Sequence, residues 1–314
     1  MGARTDRLTA VLAAATIGVA GSIGVETQSV RQPRVFRSGV DLVRFSVAVT
    51  DSKGKLVRGL AASDFTVLED GRPQTITFFA AGDAGEAKPP MHVGLLFDTS
   101  ESMIDDLRFS KNAAVKFLRG MPDAVDVTFV DFDTEVRVAR YGQNDFPRLV
   151  ERIRSTHPQG FTALYDALGV YLDGASSQDG DKVLVIYTDG GDTRSNVMYG
   201  DVLEMLRASD VTAFSVGLLE NQSASVKMDQ RMRLQDIAAV TGGMALFPTS
   251  ADQLDEMYAR IAEEIEARYS LGYLSTNTKT DGAWRKVEIK LLRPHLKNVR
   301  LRTRPGYYAP YRAE

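Results

Sequence analysis

The chain has no cysteine. Disulfides, thiolate metal sites, cysteine nucleophiles and a lipid-anchoring cysteine are therefore excluded. Histidine is nearly as scarce, with His92, His157 and His295 as its three copies, which leaves no basis for a histidine-rich zinc site. Neither sign of charge dominates: 38 Lys+Arg stand against 41 Asp+Glu, a formal net charge of −3. A general nucleic-acid binder carries a basic excess, so that class is disfavoured. Several motifs are missing too. There is no G-x-x-x-x-G-K-[ST] phosphate loop, no G-x-S-x-G elbow, and D-T-S-E-S stands where a dinucleotide-binding strand would continue into G-x-G-x-x-G. Only one hydrophobic run is long enough to notice, about Leu8 to Ala20, and it falls short of the ~20 residues of a transmembrane helix. It follows Arg4 and Arg7 and ends among Gly18, Ala20 and Gly21, the three-part pattern of a secretory signal peptide over residues 1–20. The expectation is an exported product (periplasmic, envelope-associated or secreted) that folds without disulfide chemistry.

What is present is ordinary globular composition, 44% hydrophobic and 25% charged. At about 150 residues per domain the length suggests two domains. Residues 30–83 read as β: VDLVRFSVAVTD (40–51) alternates apolar and polar side chains, and FTVLEDGRPQTITFF (65–79) reads as two strands joined at Asp70-Gly71. AAGDAGEAKPP (80–90) has linker composition. The grammar then changes. MHVGLLFD (91–98), KVLVIYTD (182–189) and VTAFSVGL (211–218) are buried-strand runs. Helical patterns separate them over about 103–119, 145–155, 163–175, 199–208, 228–240 and 251–268. Buried strands alternating with helices predict an α/β fold: a mostly parallel, doubly wound sheet with helices on both faces, over residues 91–268. Residues 269–312 return to β.

Charge divides the chain at the same places. Residues 1–90 carry +2, residues 91–267 carry −13 from 16 basic and 29 acidic side chains, and residues 268–314 carry +8. Each β segment is too small to bury much core alone. The expectation is that 269–312 packs with 30–83 as a β-sandwich-like domain, with the acidic α/β module inserted between them.

In open α/β sheets, ligands bind beyond the carboxyl ends of the strands, where strand order switches. The first buried strand ends in Asp98-Thr99-Ser100-Glu101-Ser102 and the second in Thr188-Asp189-Gly190-Gly191-Asp192; Gly160-Phe161-Thr162 opens a helix between them. These loops offer hydroxyls and carboxylates, a hard-oxygen set suited to Mg²⁺, Mn²⁺ or Ca²⁺.

D-x-S-x-S after the first strand, a lone Thr before a middle helix and an Asp after a later strand resemble the metal-ion-dependent adhesion site of von Willebrand factor A-type domains. Asp98, Ser100, Ser102, Thr162 and Asp189 match it residue by residue, within a resemblance spanning about 91–267. More loosely, SDFTVLEDGRPQ (63–74), SLGYLSTN (270–277) and RPGYYAP (304–310) resemble exported bacterial proteins built around such a domain. The resemblance implies that Ser100 and Ser102 bind a divalent cation directly, Mg²⁺ foremost. Asp98 and Asp189 then act partly through water, and Thr162 according to loop state. One open coordination position would accept a partner's Asp or Glu carboxylate, with the Gly160–Thr162 loop and the 251–268 helix coupling occupancy to shape. Glu101 stands where many family members carry Gly.

The expectation is thus a non-enzymatic, metal-dependent protein-binding module. The alternatives are an assembly or maturation factor for an envelope or metalloprotein complex, and a metal-dependent hydrolase, for which these motifs offer no His or Lys as general base. Other residues read structurally. Ser100 and Ser102 are also credible helix caps, Asp192 a turn residue, Asp131 and Asp133 edge or surface residues, and the three histidines solvated or structural. Trp284, Tyr269, Tyr273, Tyr307 and Tyr308 read as β core, and the basic 285–304 run as a solvated strand face.

Overall fold

Alternation of apolar and polar residues makes Leu42–Thr50 a strand, β1, whose Phe45, Val47 and Val49 are buried. The computed structural model describes residues 42–82, 88–293 and 298–312, all within one compact unit, Val40–Glu314. The signal-peptide segment and His295 lie outside the described residues. Next come β2 (Phe65–Glu69), β3 (Arg72–Gln74) and β4 (Ile76–Ala81). Asp70 and Gly71, with φ of 48° and 79°, make the tight β2–β3 turn. The sequence reading of two strands over 65–79 is corrected to three. β3 pairs with β2, whereas β4 leaves for another sheet and pairs with a later strand.

The middle of the chain builds a six-stranded sheet from β5 (Met91–Asp98), β6 (Ala124–Phe132), β7 (Val136–Gly142), β8 (Asp181–Thr188), β9 (Val211–Gly217) and β10 (Ala245–Leu246). Its order is β10-β9-β8-β5-β6-β7, parallel except for β7. Six helices cover it: α1 (Leu107–Arg119), α2 (Phe146–Ser155), α3 (Leu164–Ser176), α4 (Tyr199–Ala208), α5 (Ala224–Thr241) and α6 (Ala251–Ala267). The two-residue period explains why residues 93–97 of β5 are apolar on both faces. Val93, Leu95 and Phe97 pack against α1, α2 and α6, while Leu96 packs against α3, α4 and α5. Gly94 lies on that second face because a Cβ there would meet the Tyr171 ring at 2.2 Å. The chain leaves β5 toward β6 on one side and returns to β8 on the other, so the strand order reverses between β5 and β8.

Past α6 the chain forms β11 (Tyr269–Leu274), β12 (Trp284–Leu291), β13 (Arg300–Arg302) and β14 (Gly306–Tyr308). β11 runs antiparallel between β1 and β4, with β13 on the far side of β1; β12 lies between β2 and β14. Two four-stranded sheets thus enclose one core that includes Phe45, Phe65, Tyr269, Tyr273, Val287 and Tyr307. Trp284 and Tyr308 form an edge-to-face pair instead, and Tyr308 is exposed.

The basic 285–304 run is not a uniformly solvated face. Arg285 is buried with its guanidinium toward Glu69, Arg293 pairs with Asp64, and Arg302 pairs with buried Glu264. Arg304 donates to the carbonyls of Ser209 and Arg44. Asp131 and Asp133 are likewise not surface residues, being only 3% and 2% exposed. Arg137 and Arg152 follow them in sequence and cover them.

Candidate metal centre

β5 and β8 are adjacent parallel strands that end side by side, so Asp98, the last residue of β5, and Asp189, the residue after β8, lie where strand order reverses. Asp98 is fully buried and Asp189 is 3% exposed. The Ser100 amide donates to Asp98 Oδ1 (2.9 Å) and the Thr188 hydroxyl to Oδ2 (2.6 Å). Asp189 accepts from the Gly191 amide (3.1 Å) and from Gln222 Nε2 (2.9 Å). Among the described residues no basic side chain pairs with either carboxylate. Burial first, and the charge of Asp189 second, push the Asp98 carboxyl up to about 7.

Ser100 is buried, Ser102 is exposed, and their hydroxyls lie 3.0 Å apart. Neither caps a helix. Residues 101–103 form a single 3-10 turn with no side-chain cap at Ser100, and Met103 anchors that turn in the core. The helix expected from about 103 therefore begins at Leu107. Thr162 is buried just before α3, and its hydroxyl makes no hydrogen bond among the described residues. Backbone contacts bring its loop to the other two: Glu101 N donates to Gly160 O (3.1 Å), Gln159 N to Thr99 O (2.8 Å), and Thr193 N to Thr162 O (2.9 Å). All five predicted residues thus gather at one edge of the sheet. Among the described residues no three His, Cys, Asp or Glu side chains group around a single point. The donor set here is two carboxylates and three hydroxyls.

Several contributors were not anticipated. Thr188 and Gln222 hold the carboxylates, yet a Thr that closes an apolar strand and a Gln in an Asn-Gln-Ser loop give no local signal. Gln159 Nε2 donates to Asp133 Oδ2 (2.9 Å), which also accepts from Arg137 Nη2 (2.6 Å). Burial opposes ionisation of Asp133, but Arg137, the Glu135 amide and Gln159 together keep its pKa below the usual carboxylate range. Thr134 Oγ1 accepts from Phe161 N (2.9 Å) and Ala163 N donates to Asp133 O (2.9 Å). The β6–β7 turn is therefore the bracket for the Thr162 loop. Asp192 serves as the turn residue expected, accepting from Tyr165 N and the Ser195 hydroxyl. His92 sits at the other end of β5 against Asp126 and the Asp179 carbonyl. His157 is exposed.

A doubly wound α/β module with an oxygen-rich edge at the strand-order switch, joined to a β-sandwich, is the class that this fold and site define. Residues 92–260, more than half of the chain, match the von Willebrand factor type A domain, and the chain belongs to that family. No curated protein matches it. Among solved structures it is similar to the PilB minor pilin from Streptococcus sanguinis, at 14% identity and TM-score 0.48, covering 59% of this chain and 63% of that one. It is also similar to the von Willebrand domain of the pilus tip protein Mfa5 from Porphyromonas gingivalis (13%, TM-score 0.48, 57% and 96% covered). A von Willebrand factor type A protein from Catenulispora acidiphila matches at 14% identity and TM-score 0.46, with 89% of this chain and 76% of that one covered. The chain thus spans less than two thirds of the PilB protein it matches. Among the described residues no helix is long and apolar enough to cross a membrane.

Proposed function

We propose that the chain is an exported, metal-dependent protein-binding module. In this reading Asp98, Ser100, Ser102, Thr162 and Asp189 hold a divalent cation, Mg²⁺ foremost, with Mn²⁺ or Ca²⁺ as alternatives. The observation that carries it is the buried Asp98–Asp189 pair, which no basic side chain among the described residues neutralises. Two like charges at low dielectric are costly, and a hard cation between oxygen donors offsets that cost. When bound, the cation supplies an electrophilic position for a partner's Asp or Glu carboxylate. The chain's residues do the rest. Thr188 and Gln222 fix the two carboxylates, the 3-10 turn presents both serine hydroxyls, and the Asp133–Gln159 bracket sets the Thr162 loop. Export rests on the Arg4/Arg7 and Leu8–Ala20 pattern. No observation at the site favours hydrolysis, since His92 lies at the far end of β5 and is engaged by Asp126.

The test is calorimetric titration of the full chain with Mg²⁺ and Mn²⁺, followed by binding of acidic candidate partners with and without EDTA. Saturable metal binding that Asp98→Ala abolishes, with EDTA-sensitive partner binding, is expected. Partner affinity unchanged by EDTA or by Asp98→Ala would sink the reading.

A further inference from the structure

Two large apolar side chains stand exposed beside the candidate metal centre. Phe161, next to Thr162, is 63% exposed, and Ile104, two residues beyond Ser102, is 63% exposed. Single exposed apolar residues are ordinary. These two, however, sit on loops tied to each other: Glu101 N donates to Gly160 O, and Ile104 N closes the 3-10 turn onto Glu101 O (3.2 Å). Their backbones are thereby tied together, so the two side chains project from one fixed loop pair at the rim of the site.

The charges around the rim are unequal. Glu101 and Asp105 are exposed on the Ser102 side, with no ion pair among the described residues. On the other side Arg194 is exposed, and its backbone N donates to Thr162 O (3.0 Å). Its guanidinium makes no ion pair or hydrogen bond among the described residues, unlike Arg137, Arg152, Arg233, Arg268 and Arg285. An unengaged guanidinium at the edge of a module carrying −13 is a local attractor for anions in a field that otherwise repels them. Its planar fork suits a carboxylate.

We propose that this rim recognises a protein segment of defined chemistry. One carboxylate goes to the metal, an adjacent apolar side chain lies against Phe161 and Ile104, and a second carboxylate is taken by Arg194. Glu101 and Asp105 repel that second acid from their own side and so fix its position. This deepens the metal-dependent reading above and rests on it.

The experiment selects from a random peptide library displayed on phage, with the full chain immobilised in Mg²⁺ and bound phage released by EDTA. Selections run in parallel on wild type, Arg194→Glu and Arg194→Met, and each protein is also titrated with Mn²⁺ alone. Wild type should enrich peptides carrying two acidic residues and an apolar neighbour. Arg194→Glu should replace the second acid with a basic residue, and Arg194→Met should remove the preference for it. Phe161→Ser should weaken the selected wild-type peptide about tenfold or more. A second acid that persists on both Arg194 variants overturns the proposal. So does the absence of EDTA-released enrichment in a protein that binds Mn²⁺, which leaves the metal site standing. Absence of both Mn²⁺ binding and enrichment removes the metal reading and this one together.

Discussion

Asp98 shows how one residue turns fold geometry into chemistry. As the last residue of an interior strand it is fully buried, and Asp189 follows the end of the neighbouring strand. Its ordinary value of 3.8 is pushed up to about 7 by burial first and by that neighbour second. A raised folded-state value means the folded protein binds the proton more tightly than the unfolded chain. In EDTA this carboxyl's contribution is then most favourable at low pH and is lost as pH rises from about 4 to about 7. Melting temperatures measured below and above that range should therefore show Mg²⁺ stabilising the protein more at pH 8 than at pH 5. In EDTA at pH 8, Asp189→Asn should melt no lower than wild type, because it removes the like charge, and it should lose the Mg²⁺ response. Gln222 belongs to the same scale. Its amide holds Asp189, and Gln222→Ala should weaken metal affinity by about tenfold or more, read by calorimetry.

Among the elements, the loop before α3 is set by its neighbours more than by itself. Gly160 has φ 67°, and a Cβ there would lie 2.4 Å from Thr134 Oγ1. Gly160→Ala should therefore shift Thr162 and weaken metal binding while leaving far-UV circular dichroism unchanged. The core of the sheet is equally exacting. Gly94→Ala would push into the Tyr171 ring and should destabilise by about 1–3 kcal/mol in urea titrations. Tyr171→Phe should be neutral or slightly stabilising, since the buried hydroxyl has no partner among the described residues. The strand and helix types were legible because their apolar patterns are strong. The boundaries at 75 and at 303–305, where chain segments cross between sheets, were not. A strand that changes partner keeps its local composition, and only the packing of the two sheets reveals the corner.

Across the whole molecule, buried arginines join module and sandwich. Arg268, 5% exposed, donates to Glu264 Oε1 (2.9 Å), Ser46 Oγ (2.7 Å) and Gly242 O (3.1 Å). Burial pulls its pKa down to about 10. Arg268→Met leaves Glu264 with Arg302 but the carbonyls of Ser46 and Gly242 without this donor, and should cost about 1–3 kcal/mol in chemical denaturation. β11 separates β1 from β4, so truncation before Arg268 should leave residues 42–82 sensitive to protease in limited digestion. Resistance of that segment would show that it folds without its C-terminal partners.

Sequence by itself determined the α/β pattern, the charge division into +2, −13 and +8, and the oxygen-bearing residues of the site, four at or after strand ends and Thr162 before a helix. Each of these is written in local order: apolar period, composition, or short motifs beside a strand end or a helix start. Tertiary structure alone decided what surrounds them. It paired Asp98 with Asp189 across adjacent strands and enlisted Thr188, Gln222 and Gln159. It also buried Asp131 and Asp133 under Arg137 and Arg152, and turned much of the basic C-terminal run inward to Glu69, Asp64 and Glu264. The physical reason is that hydrogen bonds and ion pairs join residues up to 260 positions apart, and no periodicity along the chain encodes such a pairing.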